Sequence, residues 1–170
     1  MLIALGVAGG LWWPDRTGSR GAGAGPGFVR DASIAYAVYV PEVKHPVEVG
    51  GDDEAQLVQW LTRRLGTPLK APSLAAEGFR LLGGRLLPGA QGSGPRAQFM
   101  YEDPRGRRVT LYVTVFDAGA PPQTAFRSQR DGGIESFYWV DGRLGYAFSA
   151  ELAHADAMAL ARDVYRQLSP

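Results

Sequence analysis

The sequence predicts an α+β domain: an antiparallel sheet of about five strands with helices packed on one face, preceded by a partial membrane segment and a flexible linker. Three observations predict it. Residues 52–66, DDEAQLVQWLTRRLG, carry apolar residues at helical spacing; residues 108–116 alternate apolar and polar as a strand does; the last stretch, AELAHADAMALARDVYRQLSP, returns to a helical period. The expected division is 1–13 for the membrane segment, 14–30 for the linker and 31–170 for the domain.

The chain opens MLIALGVAGGLWWP, and the apolar run Leu2 to Trp13 is shorter than the roughly 20 residues of a membrane-crossing helix. A secretory signal needs a basic n-region, and only Met1 precedes the run. A buried strand or an apolar tail is a second reading. The back half of a transmembrane helix is the third: Trp12 and Trp13 suit a membrane interface and Pro14 ends the helix. Arg16 and Arg20 oppose that orientation, because the positive-inside rule puts them in the cytoplasm. Asp15 to Gly27, DRTGSRGAGAGPG, has the composition of a flexible linker.

Ala32 to Val40 is apolar, fits a short helix or a strand, and is closed by Pro41. EVKHPVEVGG follows as an extended piece, in which Pro46 fits an edge strand or a segment outside a sheet. In the next stretch Asp53 and Gln56 have capping-box spacing, and Leu57, Trp60, Leu61 and Leu65 share one helical face. Arg63 and Arg64 fall in the last turn and Gly66 supplies the stop. From Gly78 the period becomes that of strands, with Gly83-Gly84 marking a bulge where another backbone or a bulky side chain comes close. Gly89 to Pro95 reads as a loop. Ala97–Tyr101 and Arg108–Phe116 form a hairpin about Asp103-Pro104-Arg105-Gly106, with Val109, Leu111, Val113 and Val115 on one buried face. A second hairpin, SFYWVDGRLGYAFS, turns at Asp141-Gly142. In the terminal helix Leu152, Met158 or Ala159, Leu160, Val164 and Leu168 stand near helical spacing, with Ser149 as N-cap.

Composition narrows the chemistry. Eighteen Lys+Arg against seventeen Asp+Glu leave a formal charge of +1, too balanced for a nucleic-acid surface. The absence of cysteine excludes disulfides, thiolate zinc sites and a cysteine nucleophile. The two histidines, His45 and His154, stand in different elements, neither at metal-ligand spacing. GAGAGPG lacks the Lys-Ser/Thr of a phosphate loop, and none of Ser33, Ser73, Ser93, Ser128, Ser136 and Ser149 lies in a G-x-S-x-G elbow. Asp52-Asp53-Glu54 fits a helix start and Glu102-Asp103 a turn, which explains both without a glycosidase-like pair. Alternation puts Phe137 and Trp139 on one face of their strand and Tyr138 on the other, so the cluster these form with Tyr146 and Phe148 reads mainly as core. No catalytic, cofactor or metal residue is assigned.

GGRLLPG, AQFMYEDPRGRRVTLYV, FYWVDGRLGYAFS and ALARDVYRQL, together with HPVEV, WLTRRLG and GFRLLGGRLLP, resemble the extracytoplasmic half of bacterial transmembrane anti-sigma factors, the single-span regulators of extracytoplasmic-function sigma factors. The likeness runs from about Ala35 to Leu168 and rests on structural motifs without a catalytic signature. It implies a cytoplasmic sigma-binding domain, often with a His and Cys zinc motif, then one membrane helix, then a domain like this one. Leu2 to Trp13 is then the outer half of the span, and sigma binding belongs to a domain this chain lacks. The implied setting is the bacterial inner membrane with the main domain in the periplasm, where a protein or protease partner acts and the linker offers a cleavable stretch. Two other classes stay open: a periplasmic ligand- or protein-binding module, favoured by an apolar pocket with a polar rim, and an enzyme, favoured by titratable groups converging in a cleft.

Overall fold

A computed structural model describes residues 26–89, 93–116 and 124–169. The apolar run Leu2–Trp13, residues 14–25 of the linker and the middle of the 89–95 loop lie outside the described residues. Among those described, no helix is long and apolar enough to cross a membrane.

The elements in chain order are α1 (Gly27–Tyr39), β1 (Val49–Gly50), α2 (Glu54–Leu65), β2 (Arg80–Leu87), β3 (Arg96–Glu102), β4 (Arg108–Val115), β5 (Thr124–Asp131), β6 (Ile134–Asp141), β7 (Leu144–Ala150) and α3 (His154–Leu168). All strands join one antiparallel sheet in the order β1-β2-β3-β4-β7-β6-β5. β1 to β4 form one meander and β5 to β7 another. The pairing of β4 with β7, from Val109 opposite Ala150 to Val115 opposite Leu144, joins the two.

The fold is α+β, with seven described strands where about five were expected. β1 has only two residues, and β5, TAFRSQRD, contains no apolar run to announce it. The helices do not all lie on one face as expected. α2 packs over β2 and β3, and α3 over β6 and β7, around a core that includes Leu57, Leu61, Phe99, Leu111, Trp139, Phe148 and Leu160. α1 crosses the opposite face above β4, β7 and β6, with Phe28, Val29, Ala32 and Ala35 against Tyr112, Tyr138, Val140 and Ala147. The alternation in β4 was read correctly, but Thr110, Tyr112 and Thr114 in its second phase are buried as well. Threonine and tyrosine suit a covered strand face as readily as a solvated one, so polarity alone does not show that a layer lies over them.

Local signals explain most boundaries. Asp53 Oδ1 accepts from the Gln56 amide at 3.0 Å and Gly66 closes α2 at φ 69°, as the capping pattern required. Leu57 and Leu61 are fully buried on the face the spacing defined. The bulge at Gly83-Gly84 is present as a register shift between Leu81 and Gly83. Gly83 adopts φ 150°, and a Cβ there would run into the Val49 carbonyl; one on Gly84 would come within 3.0 Å of Leu57 Cδ1. Both anticipated causes, a neighbouring backbone and a bulky side chain, are therefore present.

Three placements shift. α1 begins at Gly27, inside the span 14–30 read as linker. In the second hairpin Asp141 pairs with Leu144, so the loop is Gly142-Arg143, with positive φ (56°) at its first position only, as a II′ turn requires. Ser149 does not cap α3. It lies in β7 opposite Thr110 and Ser136, and Ala153 precedes the helix without a side-chain cap.

Replacing Gly83 by Ala is expected to lower unfolding free energy by about 2 kcal/mol or more, because strain and overlap act together. Gly50 has φ −68° and open space about its Cα, so Gly50→Ala is expected to leave stability unchanged or raise it by up to ~1 kcal/mol. Urea titration of both variants compares them directly.

Candidate functional site

The helix-covered polar face of the sheet gathers the groups with most chemical potential. α1 forms because Phe28, Val29, Ala32, Ala35 and Tyr36 recur at helical spacing; Val40 keeps helical geometry and bonds the Tyr36 carbonyl, and the ladder stops at Pro41, which has no N–H to donate. Ala32, Ser33 and Ala35 are small, so the helix axis can approach the strands closely. Ser33 Oγ donates to the Val29 carbonyl at 3.2 Å and lies 3.2 Å from Ser136 Oγ, which lies 2.9 Å from Ser149 Oγ. One proton order satisfies this chain: Ser149 donates to Ser136, Ser136 to Ser33, and Ser33 to the helix backbone.

The C-terminal half of α1 is fastened by two further groups. Tyr36 donates its hydroxyl hydrogen to the Arg108 carbonyl at 3.1 Å and accepts from the Glu151 amide at 2.9 Å. Burial pushes this phenol up to about 12, so it remains a neutral donor. Arg108 donates to the carbonyls of Val40 at 2.8 Å and Glu42 at 2.6 Å, and its Nε pairs with Glu102 at 2.9 Å. A cation thus meets the negative end of the helix while its own charge is balanced.

A groove follows α1 on the β2–β3 side. Its middle, about 310 Å³, lies between Ile34, Ala35 and Val38 of the helix and Leu87, Pro88 and Tyr112. At the helix start it opens into a cleft of about 500 Å³ lined by Phe28, Arg30, Arg96, Thr114 and Phe116. At the other end a cleft of about 560 Å³ lies among Tyr39, Glu42, His45, Glu48 and Arg85. Asp31 and Ile34 line the first two clefts, while Val38 and Tyr39 line the middle and the last. Ile34 and Val38 are half exposed on the rim. Arg85 is buried, donates to the carbonyls of Pro46 at 3.2 Å and His45 at 2.6 Å, and stacks 3.6 Å above the Tyr39 ring.

The residues weighed in the sequence fall into separate places. His45 is a loop residue beside the groove, whereas His154 begins α3 on the other side of the sheet; the fold does not bring them together. Among the described residues, no group of three or more His, Asp or Glu is arranged to hold a metal ion. Ser33, Ser136 and Ser149 converge, but they bond to one another and to backbone rather than to a histidine. Asp53 caps α2; Asp103 accepts from the amides of Arg105 and Arg107 in the hairpin turn, and Glu102 is held between Arg80 and Arg108. Burial raises the Asp103 carboxyl, but the Arg107 side chain and the turn amides outweigh it and hold the group below the usual carboxylate range. These carboxylates have structural partners, as their positions suggested.

Sequence reasoning missed Tyr36, Arg85, Arg96 and Glu135. Strand phase was the available signal for Arg85, which shares an alternation with the buried Leu87. Glu135, on the α3 face, is buried between Arg130 at 2.6 Å and His154 Nδ1 at 3.2 Å, and His154 packs on Phe137. Burial pushes its carboxyl up, yet the His154 and Arg130 bonds prevail and hold it below the usual range.

No family model matches the chain, and no curated protein matches it in sequence.

Because Glu135 titrates lower when folded, its ionised form stabilises the native state above the unfolded carboxylate pKa of about 4.3, and this contribution is lost as pH falls below it. Glu135→Gln is expected to cost about 2 kcal/mol at neutral pH and to flatten the acid limb of stability against pH. Chemical unfolding of both proteins across the acid range measures this.

Proposed function

We propose that the chain is the periplasmic sensor and regulatory domain of a bacterial membrane-anchored anti-sigma factor, controlling release of a sigma factor and so transcription. The likeness between about Ala35 and Leu168 motivates this reading. The structural observation that carries it is the placement of α1. The first described helix after the N-terminal segment lies on its own face of the sheet, held by the serine chain, Tyr36 and Arg108. A change in how α1 sits is a direct route from the folded domain to the segment that would enter the inner membrane. On this reading sigma binding belongs to a cytoplasmic domain outside residues 1–170, and a periplasmic protein or protease acts on the domain or linker.

The groove along α1 favours a second reading, a periplasmic ligand- or protein-binding module with no sigma-factor role. Its apolar middle and polar ends are the features such a module needs.

The test is recovery of the native protein from washed inner membranes with an antibody to residues 97–168. The regulatory reading expects an intact mass well above 18.3 kDa and co-purification of a sigma factor of the extracytoplasmic-function class. A soluble protein of 18.3 kDa without that partner would overturn it.

A further inference from the structure

The two faces of the sheet differ in how their buried polar atoms are satisfied. On the α2–α3 face Glu135 has Arg130 and His154, the Tyr101 hydroxyl donates to the Pro72 carbonyl at 2.8 Å, and the Trp139 indole donates to Ser169 Oγ at 3.1 Å. On the α1 face, Arg96 Nε, both amide atoms of Gln98, and the hydroxyls of Thr110 and Thr114 are sealed from solvent without a hydrogen-bond partner. All four residues belong to β3 and β4, in the strand phase that points toward α1. They surround Tyr112: Gln98 is directly opposite, and Thr110 and Thr114 lie two residues to either side.

Arg96 sharpens the contrast. Its guanidinium is buried, and it donates to the carbonyls of Gly94 and Pro95 and to Ser93 Oγ. Among the described residues no carboxylate lies within ion-pair distance of it. The Thr110 and Thr114 hydroxyls lie on β4, which α1 covers; they would be hydrated if that helix lifted and are unsatisfied while it is down. The opposing contacts are local to the helix: the apolar side of α1, the edge-to-face ring pairs Phe28–Phe116 and Phe28–Tyr138, the serine chain, Tyr36, the Arg108 bonds to the carbonyls of Val40 and Glu42, and Arg85 stacked on Tyr39.

We propose that α1 is a detachable latch: the domain opens by releasing α1 from the sheet while the α2–α3 core and the strand pairing stay intact. Detachment follows from the packing itself, and only its use as a signal rests on the regulatory reading above.

Hydrogen exchange of the full chain, followed by mass spectrometry, tests the latch. Amides of residues 28–40 are expected to exchange through an opening that exposes little surface, at least tenfold faster than those of β4, β7 and α2. Thr110→Val and Thr114→Val keep side-chain shape while removing orphaned hydroxyls. Together they are expected to slow exchange of α1 about tenfold and leave α2 unchanged. Tyr36→Phe, which removes the clasp from the other side of the balance, is expected to speed it. Protection of α1 equal to that of β4 and β7 in the wild-type chain would overturn the proposal. So would threonine substitutions that slow exchange everywhere alike. Sigma-factor capture reads a different property, so failure of one result leaves the other standing.

Discussion

The pairing of β4 with β7 is the constraint on which the remaining architecture depends. Each meander pairs strands that follow one another in the strand sequence, but β4 and β7 are separated in the chain by two further strands. Closing that distance costs loop entropy before any contact repays it. The repayment is large and on both sides: Leu111 opposite Phe148 and Val113 opposite Tyr146 enter the α2–α3 core, while Tyr112 opposite Ala147 forms the floor beneath α1. Separating the two strands would divide both hydrophobic clusters at once.

The two sides are built with different chemistry. The α2–α3 side is filled by long aliphatic and aromatic groups, with Trp139 stacked on Tyr146 and edge-on to Tyr165, and its buried acid sits between Arg130 and His154. The α1 side mixes rings with serines, threonines and arginines. Dispersion and burial hold the first side by the sheer number of contacts, whereas the second depends more on individual hydrogen bonds whose geometry must be kept. This asymmetry also places the groove, because a slender helix over small residues leaves space beside it that a larger layer would fill.

Much of the fold was legible because local chemistry and tertiary packing agree. Asp53 and Gly66 marked the ends of α2, the Asp103 turn marked the first hairpin, and alternation in β4 set the phase of the main core. β5 was obscure because an edge strand has little apolar burial to advertise; the Gly132-Gly133 loop joining it to β6 was the usable signal. The second helical layer was hidden because Thr110, Tyr112 and Thr114 read equally well as wet or covered. Ser149 misled because a serine before an Ala-rich stretch suits a cap, but here its hydroxyl bonds within the sheet. The α1 site was illegible for a related reason: residues as distant as Ser33 and Ser136, or Tyr36 and Arg108, meet only after the two meanders join.

The outer strand β5 has a consequence for how copies of the molecule meet. Among the described residues β5 is the last strand on its side of the sheet, and a long, flat strand in that position recruits another chain. Arg127 is exposed on it, and a register irregularity between Thr124 and Arg127 bends its end away from a flat edge. When copies of the domain meet edge to edge, such an edge makes encounters brief. Copies can then touch often without fusing their sheets.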